Sequence, residues 1–247
     1  MRENLDEIWV YLAASPLFGL TLTLVAYQLA VLLHRVGRQN ALLNPVLVAV
    51  AITSAVLAAT GTDYRTYFDG AQFVHFMLGP ATVALAVPLY RQLPEIRRAA
   101  GPLLCGVLVG SITAIATAVT MAAVLGATDQ TIVSLAPKSA TAPVAMGISA
   151  QLGGAPSLTA VFTILTGILG AVCGTAVLNL VGVRDRKARG FAVGVVAHGI
   201  GTARKMQIHP SSGAFAGLGL ALNAVVTALV VPILFTVVPP LARLTSP

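Results

Sequence analysis

Four stretches of this 247-residue chain, 8–33, 102–127, 158–181 and 214–238, carry no charged residue. Each reaches or passes the roughly 20 residues that a helix needs to cross a hydrocarbon core about 30 Å thick. Lipid offers a backbone no water to bond, so an isolated span folds as a helix whose N–H and C=O groups satisfy one another. Two shorter apolar stretches, 45–61 and 72–90, are further expected spans. The rest of the composition agrees: 57% of residues are hydrophobic and 9% charged, against about 25% charged in a soluble domain. The expected fold class is all-α: a polytopic membrane protein of about six full transmembrane helices, forming a single membrane domain over 1–247. The start, "MRENLDEIWV", lacks the basic head and small-residue cleavage site of a secretory signal, so the first helix is expected to remain in a multi-pass protein of the inner (plasma) membrane.

The net charge of +7 sits in short loops between spans, where the positive-inside bias predicts it, so nucleic acid is not an expected partner. Loop 34–40 carries Arg35 and Arg38, loop 91–98 carries Arg91, Arg97 and Arg98, and "VRDRKARG" carries Arg184, Arg186, Lys187 and Arg189. These three loops are expected on the cytoplasmic side. Cys105 and Cys173 lie within apolar spans, and His34, His75, His198 and His209 are scattered, so neither a metal nor another cofactor is expected.

Following the crossings exposes a conflict. Span 102–127 must end outside and span 158–181 must begin there, so segment 131–152 starts and ends on one side. Its 22 or so residues are too few for two passes. A re-entrant hairpin or broken helix resolves the conflict, with "PKSATAP" at its tip and Pro137 and Pro143 as helix breakers. Segment 190–212, "GFAVGVVAHGIGTARKMQIHPSS", is too short in apolar residues for a full span and is expected to be re-entrant from the opposite side. Unwound backbone at membrane depth needs protein or a water-filled cavity around it, so two such elements point to a substrate site near the midplane.

An offset of 59 residues pairs Ala81-Thr82 with Ala140-Thr141 and Gln92-Leu93 with Gln151-Leu152, a candidate internal repeat. A simple two-span repeat would place "RDRKAR" outside, and the charge count is given precedence over it. Gly106/Gly110, Gly170/Gly174 and Gly213/Gly217 have the G-x-x-x-G spacing that lets helices approach closely.

A charge at the bilayer centre costs about 2.5–3.5 kcal/mol, so Lys138 is a functional candidate, with snorkelling to the interface as the structural alternative. At a deep tip, Lys138, Ser139, Thr141 and free half-helix N-terminal N–H groups beside the breaker Pro143 would suit a small anion such as a carboxylate. "HGIGTARK" offers a second set: His198, glycines Gly199 and Gly201 for irregular backbone, Thr202, and Arg204, whose guanidinium can hold a carboxylate bidentately. Its alternative is an ordinary helix end facing lipid phosphates. His75, beside Gly79 and Pro80, is either packed or functional, and Asn223 is expected to make an interhelical hydrogen bond. No nucleophile–base pair, carboxylate dyad or phosphate loop is legible, so the chain is not expected to be an enzyme.

Taken together, "YFDGAQFVHFMLGPATVALAVPLYRQL", "APKSATAPVAMGIS" and "HGIGTARK" resemble the LrgB/CidB family of bacterial membrane proteins, to which the C-terminal half of the plant plastid glycolate/glycerate transporter is similar. The resemblance spans nearly the whole chain. It implies one of two activities: transport of small monocarboxylates of the glycolate, glycerate, pyruvate or lactate type, or holin- or antiholin-like control of murein hydrolases, usually with a small LrgA/CidA-like membrane partner. By resemblance Pro80, Thr82, Lys138, Ser139, Thr141, Pro143, His198, Gly199, Gly201, Thr202 and Arg204 fall on recurrent motifs. Many relatives have an acid where this chain has Gly147, and glycine where it has Asp69; the first departure puts in doubt any coupling mechanism that uses that acid.

The transporter reading accounts for breakers and cations clustered in two hairpins, and its expected partners are a small organic anion and membrane lipid. The holin-like reading requires oligomerisation and leaves those clusters without a role; in either reading a homo-oligomer is expected, a dimer through scaffold helices being the simplest. A carrier saturates and shows counterflow; a pore does neither.

Overall fold

The computed structural model describes residues 16–37, 43–77, 80, 86–91 and 93–237, and among them every regular element is a helix. The chain divides into two compact units, Met1–Ala84 and Leu85–Pro247.

The first unit contains α1 (Pro16–Val36), α2 (Pro45–Thr60) and α3 (Tyr64–Phe76). Pro45 opens α2 with a ring that needs no hydrogen-bond donor, while the Asn44 side chain accepts from Val46 N at 2.9 Å, and Gly61 closes the helix at φ 63°. A methyl group on Gly19 would strike the Tyr67 carbonyl and lie 2.9 Å from Ala71 N, so α1 and α3 touch backbone to backbone. The Thr23 and Tyr67 hydroxyls are 2.7 Å apart across the same contact.

The second unit contains α4 (Ala86–Arg91), α5 (Leu93–Arg98), α6 (Ala100–Val124), α7 (Asp129–Leu135), α8 (Ala142–Gln151), α9 (Pro156–Leu180), α10 (Arg186–Ile208) and α11 (Pro210–Val237). Among the described residues, four helices are long and apolar enough to cross a membrane: Leu17–Val36 within α1, α6, α9 and α11. This is a multi-pass membrane protein. Expected span 45–61 is the 16-residue α2, and expected span 72–90 falls partly on residues outside those described.

Large apolar side chains such as Leu165, Leu169, Val225 and Leu229 are exposed, while α9 turns Thr159, Thr163, Gly167 and Ala171 inward. Lipid is as apolar as leucine, so burying leucine gains little there. Small and hydroxylated residues gain more, because they admit close backbone approach and interhelical hydrogen bonds.

Helices α6 and α11 run side by side in the same direction. Leu103 and Val107 share a cluster with Phe215 at the end carrying the basic loop 184–189. Ser111 meets Asn223 midway, and Ile115, Val119 and Ala122 share a cluster with Val231 and Phe235 at the far end.

Between α6 and α9 the chain enters from the far end and returns to it. The Thr128 hydroxyl caps α7, the chain turns through 136–140, and α8 begins with Pro143 in its first turn. The return is pinned by Ser134 Oγ, which accepts from Ala155 N at 2.8 Å at the start of α9, and by the Thr159 hydroxyl donating to Ser149 Oγ at 2.7 Å.

The second re-entrant element lies within α10. Methyl groups on Gly190 and Gly194 would strike the backbones of Ser212 and Ala216, and one on Gly219 would lie 2.5 Å from the Phe191 carbonyl, so the first half of α10 runs parallel to α11. The helix then breaks at Ala197 (φ −113°, ψ 17°) and His198 (φ 38°, ψ −134°). The second half runs back to the basic end, where Met206 packs on Gly213 and His209 alone separates α10 from α11.

Both expected re-entrant elements are therefore present, entering from opposite ends. The second break falls at Ala197–His198, just before the glycines expected to permit it; Gly201 instead packs closely on Val193 and Ala197 of the incoming half. The repeat visible in the fold also differs from the one read at offset 59. It is a 25-residue helix followed by a hairpin, α6 with α7–α8 and α9 with α10, in opposite orientations. Residues 81–85 of the expected repeat lie outside those described, and 142–151 form only the returning arm of a hairpin.

Candidate functional site

The two tips reach the same depth. The carbonyl of Ser139, in the turn of the first hairpin, accepts from Asn223 Nδ2 at 2.8 Å, and Asn223 Oδ1 accepts from the Ser111 hydroxyl at 2.6 Å. Asn223 lies close to the midpoint of α11 and Ser111 close to that of α6. The tip of the second hairpin is set against α9, where a methyl group on Gly167, near that helix's midpoint, would lie 2.5 Å from Cε1 and 2.7 Å from Nε2 of His198.

His198 is the one non-glycine residue with positive φ among those described. A side chain in that conformation costs on the order of 1–3 kcal/mol and persists only where its surroundings hold it. Two contacts hold it here: its Nε2–H donates to the Thr163 carbonyl at 2.7 Å, and its own carbonyl accepts from the Thr202 hydroxyl at 2.7 Å. The first bond places the proton of a neutral ring on Nε2 and leaves Nδ1 an acceptor. Thr163, which sequence reasoning did not single out, becomes part of the site by supplying that carbonyl. The sequence signal for it is the four-residue spacing of Thr159, Thr163 and Gly167, an inward-facing stripe of small and hydroxylated residues.

Lys138 is half-buried in the turn of the first hairpin, within electrostatic reach of His198. Among the described residues no hydrogen bond or ion pair reaches its ammonium. Among the described residues the buried hydroxyls of Ser139 and Thr163 have no hydrogen-bond partner, an arrangement that costs about 1–3 kcal/mol per group if nothing else bonds them. Two helix N-termini open at the tips: α8 starts from Thr141, whose side chain makes no capping bond, and the returning half of α10 starts from Gly199. Their first-turn N–H groups and positive dipole ends favour an anion.

The fold thus gathers Lys138, Ser139, Thr141, His198, Gly199 and Thr202 at or beside the two tips. Pro143, in the first turn of α8, is exposed and serves its geometry; Gly201 serves hairpin packing. Arg204 lies six residues past the break, about 9 Å along a helix, towards the basic end and away from the tip. Thr82 lies outside the described residues; His75 is on α3 in the first unit, its side chain likewise outside them.

A family model described as "LrgB-like family" matches residues 23–237. A protein of Staphylococcus epidermidis named "Holin-like protein CidB" is 34% identical over 195 residues, covering 79% of this chain and 85% of that one. An uncharacterized protein of Haemophilus influenzae is 32% identical over 217 residues, 88% of this chain and 94% of its own length. Uncharacterized protein YwbG of Bacillus subtilis is 36% identical over 193 residues, 78% and 86% of the two chains. No solved structure matches. The chain belongs to the LrgB-like family.

Proposed function

We propose that this chain is a carrier of small monocarboxylates, of the glycolate, glycerate, pyruvate or lactate type, working by alternating access in the bacterial plasma membrane. The observation behind this reading is the arrival of two opposed hairpin tips at the same mid-depth, with Lys138 within electrostatic reach of His198, two helix N-termini, and the hydroxyls of Ser139 and Thr163, which have no partner among the described residues. A carboxylate would accept from the Lys138 ammonium and the first-turn N–H groups, and a hydroxyl or keto oxygen beside it would meet Ser139 or Thr163. Each hairpin enters from one end only, so withdrawing one tip opens the site to that end while the other stays closed. The empty site holds an unpaired cation at membrane depth, costing about 2.5–3.5 kcal/mol, and a bound monocarboxylate neutralises it. Reorientation is therefore favoured when loaded, which is the behaviour of an exchanger. In this reading the chain is not an enzyme.

The second reading is a holin- or antiholin-like protein that modulates murein hydrolase export and autolysis, assembling with itself and with a small LrgA/CidA-like partner. The name of the staphylococcal relatives, holin-like protein CidB, favours it, and nothing in that name speaks for a monocarboxylate. The separating experiment is counterflow in liposomes loaded with unlabelled glycolate, lactate or pyruvate. Saturable uptake of labelled substrate, lost in Lys138→Ala, supports the carrier. Non-selective leakage of solutes without counterflow would sink it in favour of the holin-like reading.

A further inference from the structure

At the basic end, away from the midplane tips, the second hairpin borders a half-open cavity of about 310 Å³ lined by Thr175, Arg184, Arg186, Arg189, Lys205 and His209, together with Ile208 and Ser212, none of them acidic. Lys205 is only 5% exposed. Among the described residues no hydrogen bond or ion pair reaches its ammonium, and Arg189 and Arg204 stand within electrostatic reach of it. Among the described residues Arg189 is held by neutral acceptors alone: its guanidinium donates to Asn179 Oδ1 at 2.7 Å, the Val183 carbonyl at 3.0 Å and the Thr175 carbonyl at 3.3 Å. Its charge is positioned and not neutralised. Asp185, the acid between Arg184 and Arg186, caps α10 by accepting from Ala188 N at 2.8 Å, and it lines a different cleft together with Lys187. His209 Nδ1 accepts from Ser211 N, which leaves Nε2–H as a donor.

We propose that this cavity is a second anion site, and that it holds a phosphate group. Lys205 and Arg189, with Arg184 and Arg186 at the rim, carry more positive charge than a monocarboxylate neutralises. A phosphate carries more charge and more acceptor oxygens, and suits guanidinium forks in particular. The site lies where α9 ends and α11 begins, at the level where lipid phosphates stand beside a membrane helix. The phosphate can therefore come from an anionic phospholipid headgroup or from a soluble phosphate. Bound there, it would tie the basic loop to the returning half of α10 and so restrain the second hairpin. The inference stands apart from the midplane site and does not depend on what that site carries.

The test uses the full chain with two probes. Inorganic phosphate is titrated calorimetrically into protein held in phosphatidylcholine nanodiscs, and phosphatidylglycerol retained by detergent-solubilised protein is counted by native mass spectrometry. Lys205→Gln is expected to weaken binding about tenfold or more, the effect of losing one charge-assisted hydrogen bond, with an unchanged or raised melting temperature because an unpaired buried charge has been removed. Arg186→Gln, an exposed position at the rim, supplies a variant whose folding is not at risk and is expected to weaken the same probe. Phosphate binding that falls in the variants identifies a soluble ligand; phosphatidylglycerol retention that falls in them identifies a lipid. Binding of neither probe by the wild type, or binding of both that neither substitution alters, would overturn the proposal.

Discussion

Asn223→Ala asks whether the first hairpin tip is held at mid-depth by one polar contact. The Asn223 amide joins the Ser139 carbonyl at 2.8 Å to the Ser111 hydroxyl at 2.6 Å, linking hairpin, α11 and α6. Hydrogen bonds between helices in a bilayer contribute about 0.6–2 kcal/mol each. A buried group left without a partner costs about 1–3 kcal/mol. Asn223→Ala removes both bonds and strands the Ser139 carbonyl, so the expected loss is about 2–4 kcal/mol. Ser111→Ala removes one donor only, and the Thr227 hydroxyl, already 3.4 Å from the same Oδ1, can take its place; its expected cost is about 0.5–1.5 kcal/mol. The double variant should cost little more than Asn223→Ala alone, because the shared bond is lost once. Reversible unfolding in mixed micelles, followed by circular dichroism, measures all three. Asn223→Ala within about 0.5 kcal/mol of wild type, or single-variant costs that simply add, would refute the anchoring argument.

Gly194→Val drives a branched side chain into the Ala216 backbone and should separate the first half of α10 from α11, seen as loss of monodisperse protein on gel filtration; a well-behaved variant would contradict the close approach. At His198 the backbone favours glycine while the ring holds the tip to α9, so His198→Gly should be about 1 kcal/mol more stable than His198→Ala in thermal unfolding, with both below wild type; equal stability of the two variants would remove the case for strain. Thr163→Val discards a buried hydroxyl that has no partner among the described residues, so its melting temperature should hold or rise while apparent substrate affinity in counterflow falls about tenfold; unaltered affinity would exclude that hydroxyl from the site.

Much of the architecture is legible without coordinates because the bilayer simplifies the problem. Uncharged stretches of sufficient length must be helices, and loop charge orients them. The orientation then forces 131–152 to return to the end from which it came, and the shortage of apolar residues in 190–212 implies the same there; the folded hairpins bear out both. Pro137 and Pro143 mark the first turn because a missing donor and a fixed ring act locally. The second break was harder to place. Gly199 and Gly201 advertise flexibility, yet the chain reverses at His198, where a bond to the Thr163 carbonyl holds a conformation that the residue would not adopt alone. The close approach of α10 to α11 is not legible for a related reason: Gly190 and Gly194 have the same G-x-x-x-G spacing as Gly106/Gly110, Gly170/Gly174 and Gly213/Gly217, and only the facing Ser212 and Ala216 backbones distinguish them.

That this is a helical, multi-pass membrane protein with two interrupted elements follows from the amino-acid order, because hydrophobic length, loop charge and helix breakers act through the solvent and the local backbone. Only the tertiary structure decided that Ser139 meets Asn223, that Thr163 supports His198, and that Lys205 is buried beside a basic cavity. Those pairings join residues far apart in the chain. Their distances depend on where each hairpin stops along its neighbouring helices, which is set by side-chain packing and by the hydrogen bonds left for buried polar groups to find.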